Sequence, residues 1–186
     1  MIYVLLGPSC SGKTTLLKTL KNIGANTIVS YTTRPIRVNE KDGYDYHFIT
    51  NEQYNELDKQ GSMILKNSFT NVYGTIWNYA VHKDSLDPRK TSFIVTEMNG
   101  FVELQKTFGK ENVCGILLKV SYETLLNRGL ERGDNKNELE RRLKSDSEDF
   151  KDSESRVSFI IDAENDFVLD DVLRISGGNL FWQRKF

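Results

Sequence analysis

The chain has 186 residues, of which 38% are hydrophobic and 27% charged, a balance typical of one globular domain and not of a disordered chain. Its 25 basic and 26 acidic residues leave a net charge of −1, whereas a general nucleic-acid binder would show a basic excess. Cys10 and Cys114 have neither metal-ligand spacing nor the pattern of a disulfide framework. Because the sequence lacks an apolar stretch of about 18 residues and a signal-peptide pattern, we expect a cytoplasmic protein without nucleic-acid or membrane partners. The oligomeric state stays open.

The first elements are a strand and a helix. Ile2 to Leu6 is a continuous apolar run with β-branched and aromatic members, which predicts a buried strand. Leu16, Leu17 and Leu20 then recur at helical spacing and predict a helix. Gly24 is a candidate for its C-terminal end.

The turn between this strand and helix reads G-P-S-C-S-G-K-T, the spacing of a phosphate-binding P-loop. In such a loop the backbone N–H groups and the helix N-terminus face phosphate oxygens. Lys13 can reach the terminal phosphates, and the Thr14 hydroxyl can ligate Mg²⁺. A chance match in a glycine-containing turn is the alternative, but the strand before and the helix after favour the P-loop. The candidate residues of the donor phosphate site are Gly7, Ser9, Cys10, Ser11, Gly12, Lys13, Thr14 and Thr15.

Strand and helix patterns alternate again in the second half of the chain. The segments SFIVTE, VCGILLKV and VSFII predict three further buried strands, the first ending at Glu97. Helical spacing over 101–108 and 168–173 predicts two helices, and Ser121 is a candidate N-cap for another. This alternation predicts an α/β fold, with a parallel sheet flanked by helices.

Two polar segments that carry arginines interrupt the alternation. In the first, Thr50 and Gln53 fit a capping box before a short helix, and MILKNSFTNVYGTIWNYAV predicts short strands. In the second, a Gly-Asp-Asn break separates two charged stretches. We expect Leu180, Phe181 and Trp182 to pack back onto the core.

We interpret the whole chain as one domain, with a core at 1–30, 81–126 and 151–186, an insertion at 31–80 and a lid at 127–150.

The start of the insertion carries the most specific pattern. With the P-loop before it, the chain resembles the guanylate kinase family, whose members have a stretch very like V-S-x-T-T-R-x-x-R-x-x-E-x-x-G-x-D-Y-x-F here. Shorter counterparts, VYGT, TEMNG, RGLERG and RRL, follow in the same order. The resemblance implies phosphorylation of a nucleoside monophosphate, GMP or dGMP, by ATP with Mg²⁺. The matching residues are Val29, Ser30, Thr32, Thr33, Arg34, Arg37, Glu40, Gly43, Asp45, Tyr46 and Phe48.

The acceptor phosphate has a candidate clamp in this stretch. Arg34 and Arg37 can bind a monophosphate through paired guanidinium N–H groups. The alternative for an arginine pair is an exposed loop with solvated charges. The resemblance implies that Tyr46 and Tyr73 join the two arginines on the acceptor phosphate.

Arginines also mark the lid. Arg128 and Arg132 lie four residues apart on one predicted helix face, and Arg142 lies beyond the break. The resemblance implies that they close over the donor phosphates, whereas a charged, solvated helical hairpin is the alternative. Arg141 is expected to point elsewhere. The predicted catalytic residues are Lys13, Arg34, Arg128, Arg132 and Arg142.

The base site departs from the family. Family members read guanine with serines and acids; here Thr75 replaces a serine, Glu97 replaces an aspartate, and Leu65 and Val95 stand where acids are usual. A different or broader base preference is therefore an alternative to GMP. The predicted GMP-binding residues are Ser30, Arg34, Arg37, Glu40, Tyr46, Tyr73, Thr75 and Glu97.

Two other function classes stay open. Glu97 ends an apolar strand like the Walker B acid of P-loop ATPases, which would suit a P-loop NTPase. A non-catalytic guanylate-kinase-like binding module is the other, although such modules typically lose the P-loop lysine and glycines that this chain keeps.

Overall fold

The computed structural model of the protein describes residues 1–38, 40–70 and 73–177. Within these ranges the chain forms two four-stranded sheets and six α-helices. The strands are β1 (Ile2–Leu6), β2 (Tyr31–Thr32), β3 (His47–Phe48), β4 (Met63–Thr70), β5 (Ile76–His82), β6 (Ser92–Val95), β7 (Val113–Lys119) and β8 (Phe159–Asp162). The helices are α1 (Lys13–Asn22), α2 (Asn51–Lys59), α3 (Met98–Phe108), α4 (Tyr122–Glu131), α5 (Lys136–Asp149) and α6 (Val168–Ile175).

The first sheet is parallel throughout, with the strand order β6-β1-β7-β8. All five residues of β1 are buried, because helices cover both faces of the sheet. On one face Val4 packs in a cluster with Phe101 of α3, and on the other Leu5 packs with Leu20 of α1 and Val172 of α6. The predicted parallel sheet flanked by helices is confirmed. Leu180, Phe181 and Trp182, which were expected to pack onto the core, lie outside the described residues.

One strand boundary in this sheet was predicted wrongly. Strand β6 ends at Val95, whereas the apolar pattern placed its end at Glu97. Glu97 is instead the N-cap residue of α3, because the chain turns directly from the strand into that helix. Its side chain therefore lies at the carboxyl edge of the sheet, beside the P-loop, where parallel α/β sheets bind ligands.

The second sheet has the strand order β3-β2-β5-β4. It is formed by the predicted insertion together with Val81 and His82, because β5 continues past the predicted boundary at 80. The capping box of α2 is confirmed, because the Thr50 hydroxyl accepts from the Gln53 N–H and the Gln53 side chain accepts in return. Strands β4 and β5 form an antiparallel hairpin whose register shifts between Ile64 and Asn67. An ion pair between Asp45 and Lys18 of α1 ties the insertion to the core.

Helices α4 and α5 form a hairpin across the predicted lid. The predicted Ser121 cap is confirmed, since its side chain accepts from the Thr124 N–H, and Asn135 caps α5 in the same way. The two helices meet closely at Gly129, where an added Cβ would lie 2.4 Å from the Leu139 side chain. The hairpin brings its arginines and acids toward the P-loop.

None of the helices in the described ranges is both long and apolar enough to cross a membrane.

Candidate active site

The P-loop takes a conformation that only glycine adopts without strain at two points. Gly12 has φ +97 and immediately precedes α1. Gly7 has φ +145, and an added Cβ there would lie 2.9 Å from both the Leu118 carbonyl oxygen and Ser11 Oγ. Cys10 also has a positive φ, of 65°, which is uncommon for a residue with a side chain. The sequence pattern thus forms a tight loop at the N-terminus of a helix, as a phosphate cradle requires.

Lys13 is anchored to this loop by its own backbone. The Lys13 ammonium donates to the Gly7 carbonyl oxygen at 2.6 Å and to the Pro8 carbonyl oxygen at 2.7 Å. Burial lowers the pKa of Lys13 to about 8, and the nearby carboxylates of Asp146 and Glu97 oppose this shift. The cation therefore lies within the loop, where a phosphate would be bound.

A cavity of about 550 Å³ opens from the P-loop along α1 toward the start of α6. This volume lies within the usual range for small-molecule sites. Arg128 and Arg132 line its polar side, while Ala163, Val168 and Leu169 make part of its wall apolar. Charged groups near the loop and an apolar far wall suit a nucleotide with its phosphates in the cradle. This far wall could not be predicted from the sequence, because the positions after β8 carry no motif.

Thr14 is the candidate protein ligand for a bound Mg²⁺. Thr14 lines the cavity at the first turn of α1, and Mg²⁺ commonly uses one or two protein groups together with phosphate oxygens and water. In the described ranges no group of three or more His, Cys, Asp or Glu side chains could hold a metal ion. Thr14 together with substrate phosphates therefore fits the ion better than a cage of protein ligands.

The predicted acceptor clamp is built around a buried ion pair. Arg34 is only 4% exposed, so the alternative of a solvated loop arginine is wrong for this residue. Its Nη1 and Nη2 donate to the two Glu40 carboxylate oxygens at 3.0 and 2.8 Å. Glu40 also accepts from the Arg37 N–H at 2.8 Å. Burial alone would raise the pKa of Glu40, but the bonds from Arg34 and Arg37 lower it below the usual value. Glu40 therefore holds the clamp together.

Two aromatic rings pack against the Arg34 guanidinium group. Its guanidinium carbon lies 5.5 Å from the ring centres of both Tyr46 and Phe48, within the range of cation–π attraction. Tyr46 in turn meets Tyr79 of β5 edge-on, with 5.9 Å between ring centres. Burial, and then Tyr79, raises the pKa of Tyr46, so its hydroxyl keeps its proton and can donate.

Arg37 lies beside the Arg34–Glu40 pair, where its backbone N–H donates to Glu40, and its side chain is exposed. Desolvation lowers the pKa of Arg37 and Arg34 lowers it further, whereas Glu40 opposes this shift. Arg132 of the lid adds a smaller effect in the same direction as Arg34. A cleft with this charge favours polyanionic ligands.

Three further predicted acceptor residues flank strands of the insertion. Ser30 is half-buried beside β2, and its carbonyl accepts from the His47 N–H at 2.9 Å. Tyr73 and Thr75 lie between β4 and β5, and Tyr73 is 89% exposed. Val72 of the VYGT motif lies outside the described residues. The acceptor roles of Ser30, Tyr73 and Thr75 stay predictions.

Glu97 meets the insertion sheet directly. Its Oε2 accepts from Asn67 Nδ2 at 2.7 Å. Burial raises the pKa of Glu97, the bond from Asn67 counteracts this, and Asp146 raises it further. The two positions without the expected acids are Leu65 and Val95. The Leu65 side chain is 6% exposed and belongs to one core cluster, and Val95 packs against the other.

The lid arginines share one carboxylate. Asp134, in the break between α4 and α5, forms ion pairs with both Arg132 and Arg142. Arg132 Nη2 also lies 3.4 Å from Cys10 Sγ in the P-loop, and Arg128 Nη2 donates to the Ala163 carbonyl oxygen at 2.9 Å. Asp134 therefore holds Arg132, which lines the cavity, next to Arg142. In the sequence, Asp134 is visible only as part of the Gly-Asp-Asn break.

A second acidic residue of the lid reaches the P-loop itself. Asp146 of α5 accepts from the Ser9 N–H at 2.6 Å and is the strongest charged influence that favours the protonated form of Lys13. Arg141 does not line the cavity, and neither does Arg142, which was predicted to be catalytic. Arg141 pairs with Glu138 and lies 5.3 Å from the centre of the Phe69 ring of the insertion, so it connects the lid to the insertion.

Comparisons with known proteins identify the family of this chain. The sequence profile described as guanylate kinase matches residues 1–174. A guanylate kinase from Oceanobacillus iheyensis is 32% identical over 142 residues, which cover 75% of this chain and 68% of that protein. One from Thiobacillus denitrificans is 26% identical over 181 residues, covering 95% of this chain and 85% of that protein. The crystal structure of guanylate kinase from Anaplasma phagocytophilum superposes with a TM-score of 0.68 at 26% identity, covering 97% of this chain and 84% of that one. The chain belongs to the guanylate kinase family and is a nucleoside monophosphate kinase.

Proposed function

We propose that this protein transfers the γ-phosphoryl group of ATP to the phosphate of GMP or dGMP. The observation that carries the proposal is the meeting of cations from three segments around one cleft. Lys13 comes from the P-loop, Arg34 and Arg37 from the insertion, and Arg132 from the lid. Arg132 lies 3.4 Å from Cys10 Sγ of the P-loop and lines the same cavity as Lys13, which supports a donor site shared by loop and lid. The acceptor arginines would face this site across the cleft.

The donor phosphates would be held by the P-loop. The loop N–H groups and Lys13 bind the phosphate oxygens, and the cavity wall at Val168 and Leu169 contacts the base. Arg128, Arg132 and Arg142 neutralise charge that develops on the transferring group. Mg²⁺, held at Thr14, would supply further positive charge to the phosphate oxygens.

The acceptor phosphate would be held by Arg34, Arg37 and Tyr46. Glu40 and two aromatic rings hold Arg34 in place before the phosphate binds. Its side chain therefore loses little conformational freedom on binding. Because the phosphate oxygen is already an anionic nucleophile, no general base is needed. Catalysis then depends on positioning and charge, and the lid excludes water that could compete as acceptor.

Substitution of the P-loop lysine tests the transfer and separates the three function classes. We expect Lys13→Ala to abolish ATP-dependent conversion of GMP to GDP, measured by a coupled spectrophotometric assay. Lys59→Ala, in the last turn of α2, is a matched control and should retain wild-type turnover. ATP hydrolysis by the wild type without any monophosphate would favour a P-loop NTPase. The absence of turnover with every acceptor would favour a binding module.

A further inference from the structure

One face of the insertion sheet points into the cleft. Residues directly opposite each other on antiparallel strands share a face, and Tyr79 of β5 lies opposite both Asn67 and Thr32. Tyr79 contacts Tyr46 of the acceptor clamp, and Thr32 Oγ1 accepts from the Arg34 N–H at 3.1 Å. Asn67 therefore lies on the same face as the residues that hold Arg34.

A distortion of β4 separates Asn67 from Leu65. Leu65 has φ 53, its N–H donates to Glu103 at 3.1 Å, and the register with β5 shifts at this point. Irregularities of this kind redirect side chains, often beside active sites. Leu65, the position that lacks the expected acid, is turned into the core, whereas Asn67 meets Glu97 at the edge of the cleft.

The bond to Glu97 fixes which end of the Asn67 amide faces the cleft. Nδ2 donates to Glu97 Oε2, since the opposite amide orientation would place two acceptor oxygens against each other. Asn67 Oδ1 has no hydrogen-bond partner among the residues described. One oxygen of Glu97 and the amide oxygen of Asn67 are thus two neighbouring acceptors.

Guanine presents the complementary pattern. Its N1–H and its 2-amino group are adjacent donors on one edge of the base. The Asn67 amide already donates to one Glu97 oxygen, so the other Glu97 oxygen and Asn67 Oδ1 are the neighbouring acceptors that remain for this pair of donors. An uncharged amide beside the single remaining carboxylate oxygen suits this pair of donors.

We propose that Asn67 determines base specificity, by accepting a hydrogen bond from the guanine 2-amino group while Glu97 accepts from N1–H. The assignment rests on the proposed function for the identity of the acceptor. It gives this chain a second acceptor that replaces the acid missing at Leu65. No motif in the sequence marks Asn67 for this role.

IMP is the informative probe, because it keeps N1–H and lacks the 2-amino group. Binding of GMP and of IMP is measured by isothermal titration calorimetry without ATP, so the readout does not depend on turnover. We expect Asn67→Ala to weaken GMP binding about tenfold and to change IMP binding by less than about twofold. Glu97→Gln should weaken both. Ser68→Ala, the next residue of β4 on the opposite face, is the matched control and should weaken neither.

Two results would overturn the assignment. Equal weakening of GMP and IMP by Asn67→Ala would mean that Asn67 only positions Glu97. Unchanged binding of both would mean that Asn67 does not contact the base. Failure of the proposed function looks different, since the wild type would then bind GMP selectively without phosphorylating it, or would bind neither monophosphate.

Discussion

Three arginines of the cleft are paired with carboxylates, Arg34 with Glu40 and both Arg132 and Arg142 with Asp134. Arg34 is almost fully buried and paired to both oxygens of Glu40, a geometry that makes a guanidinium–carboxylate pair strong. Asp134 performs a similar role for the lid arginines. The sequence pattern selected the arginines and Glu40, whereas Asp134 was not distinguishable from an ordinary surface acid.

Removal of the Glu40 charge tests this role. In Glu40→Gln, the buried Arg34 loses its counter-charge, so we expect the KM for GMP to rise about tenfold and stability to fall by about 1–3 kcal/mol. The KM for ATP should stay unchanged, because Glu40 does not line the donor cavity. Steady-state kinetics and thermal unfolding measure both effects, with Glu52→Gln in the first turn of α2 as control. An unchanged KM for GMP would show that Arg34 is held without Glu40.

The lowered pKa of Lys13 predicts a pH dependence of donor binding. With a pKa of about 8 in the empty protein, Lys13 is charged below that pH and loses its proton as the pH rises through it. We expect the affinity for a non-hydrolysable MgATP analogue to be greatest below about pH 8 and to decline above it, as measured by calorimetry. Lys13→Arg, which stays charged, should remove this decline. Constant wild-type affinity from about pH 7 to 9.5 would contradict the expectation.

At the scale of elements, the lid helix α5 touches the P-loop through an acid. Asp146 accepts from a loop N–H that would otherwise face a phosphate. Its carboxylate therefore lies where donor phosphate charge would repel it, so we expect Asp146 to release the Ser9 N–H when the donor binds. The contact makes α5 part of the donor site as well as part of the lid.

We expect Asp146→Asn to strengthen ATP binding. The substitution removes a negative charge that opposes the phosphates, so the KM for ATP should fall about two- to tenfold. Glu148→Gln, two residues further along α5 and exposed, controls for the general charge of the helix. A rise in the KM for ATP would mean instead that Asp146 helps to bind the donor or its Mg²⁺.

The helices and strands could largely be predicted because their signals are local. The apolar run of β1, the capping box at Thr50 and the cap at Ser121 each depend on a few neighbouring residues. The Ser9–Asp146 bond joins positions 137 residues apart, and nothing in either segment alone indicates it. The Asn67–Glu97 pair was missed for a related reason, since it depends on a register shift and a positive φ in β4.

At the scale of the whole molecule, the insertion and the lid meet across the cleft. Arg141 of α5 lies over Phe69 of β4, and Phe69 stacks on Trp77 with 6.4 Å between ring centres. Arg141 thus contributes to closure, although it does not line the donor cavity. A contact that holds two segments together should affect both substrates equally.

Removal of the contact between Arg141 and Phe69 tests whether the meeting of lid and insertion supports substrate binding. We expect Phe69→Ala to raise the KM values for ATP and GMP together by about two- to fivefold, the size expected for an exposed cation–π contact. Thermal unfolding should be nearly unchanged, because the ring is not part of the main core. Ile76→Ala, an exposed apolar side chain at the same end of the hairpin, is the control. An effect on only one KM would contradict a shared closing contact.

The measurement that tests the proposed activity most directly is an acceptor panel with MgATP. The kcat/KM values for GMP, dGMP, AMP, CMP, UMP and dTMP are compared in one coupled assay with the wild-type protein. We expect GMP or dGMP to have the highest value, with formation of the corresponding diphosphate. Equal or faster phosphorylation of another monophosphate would contradict guanine as the preferred base.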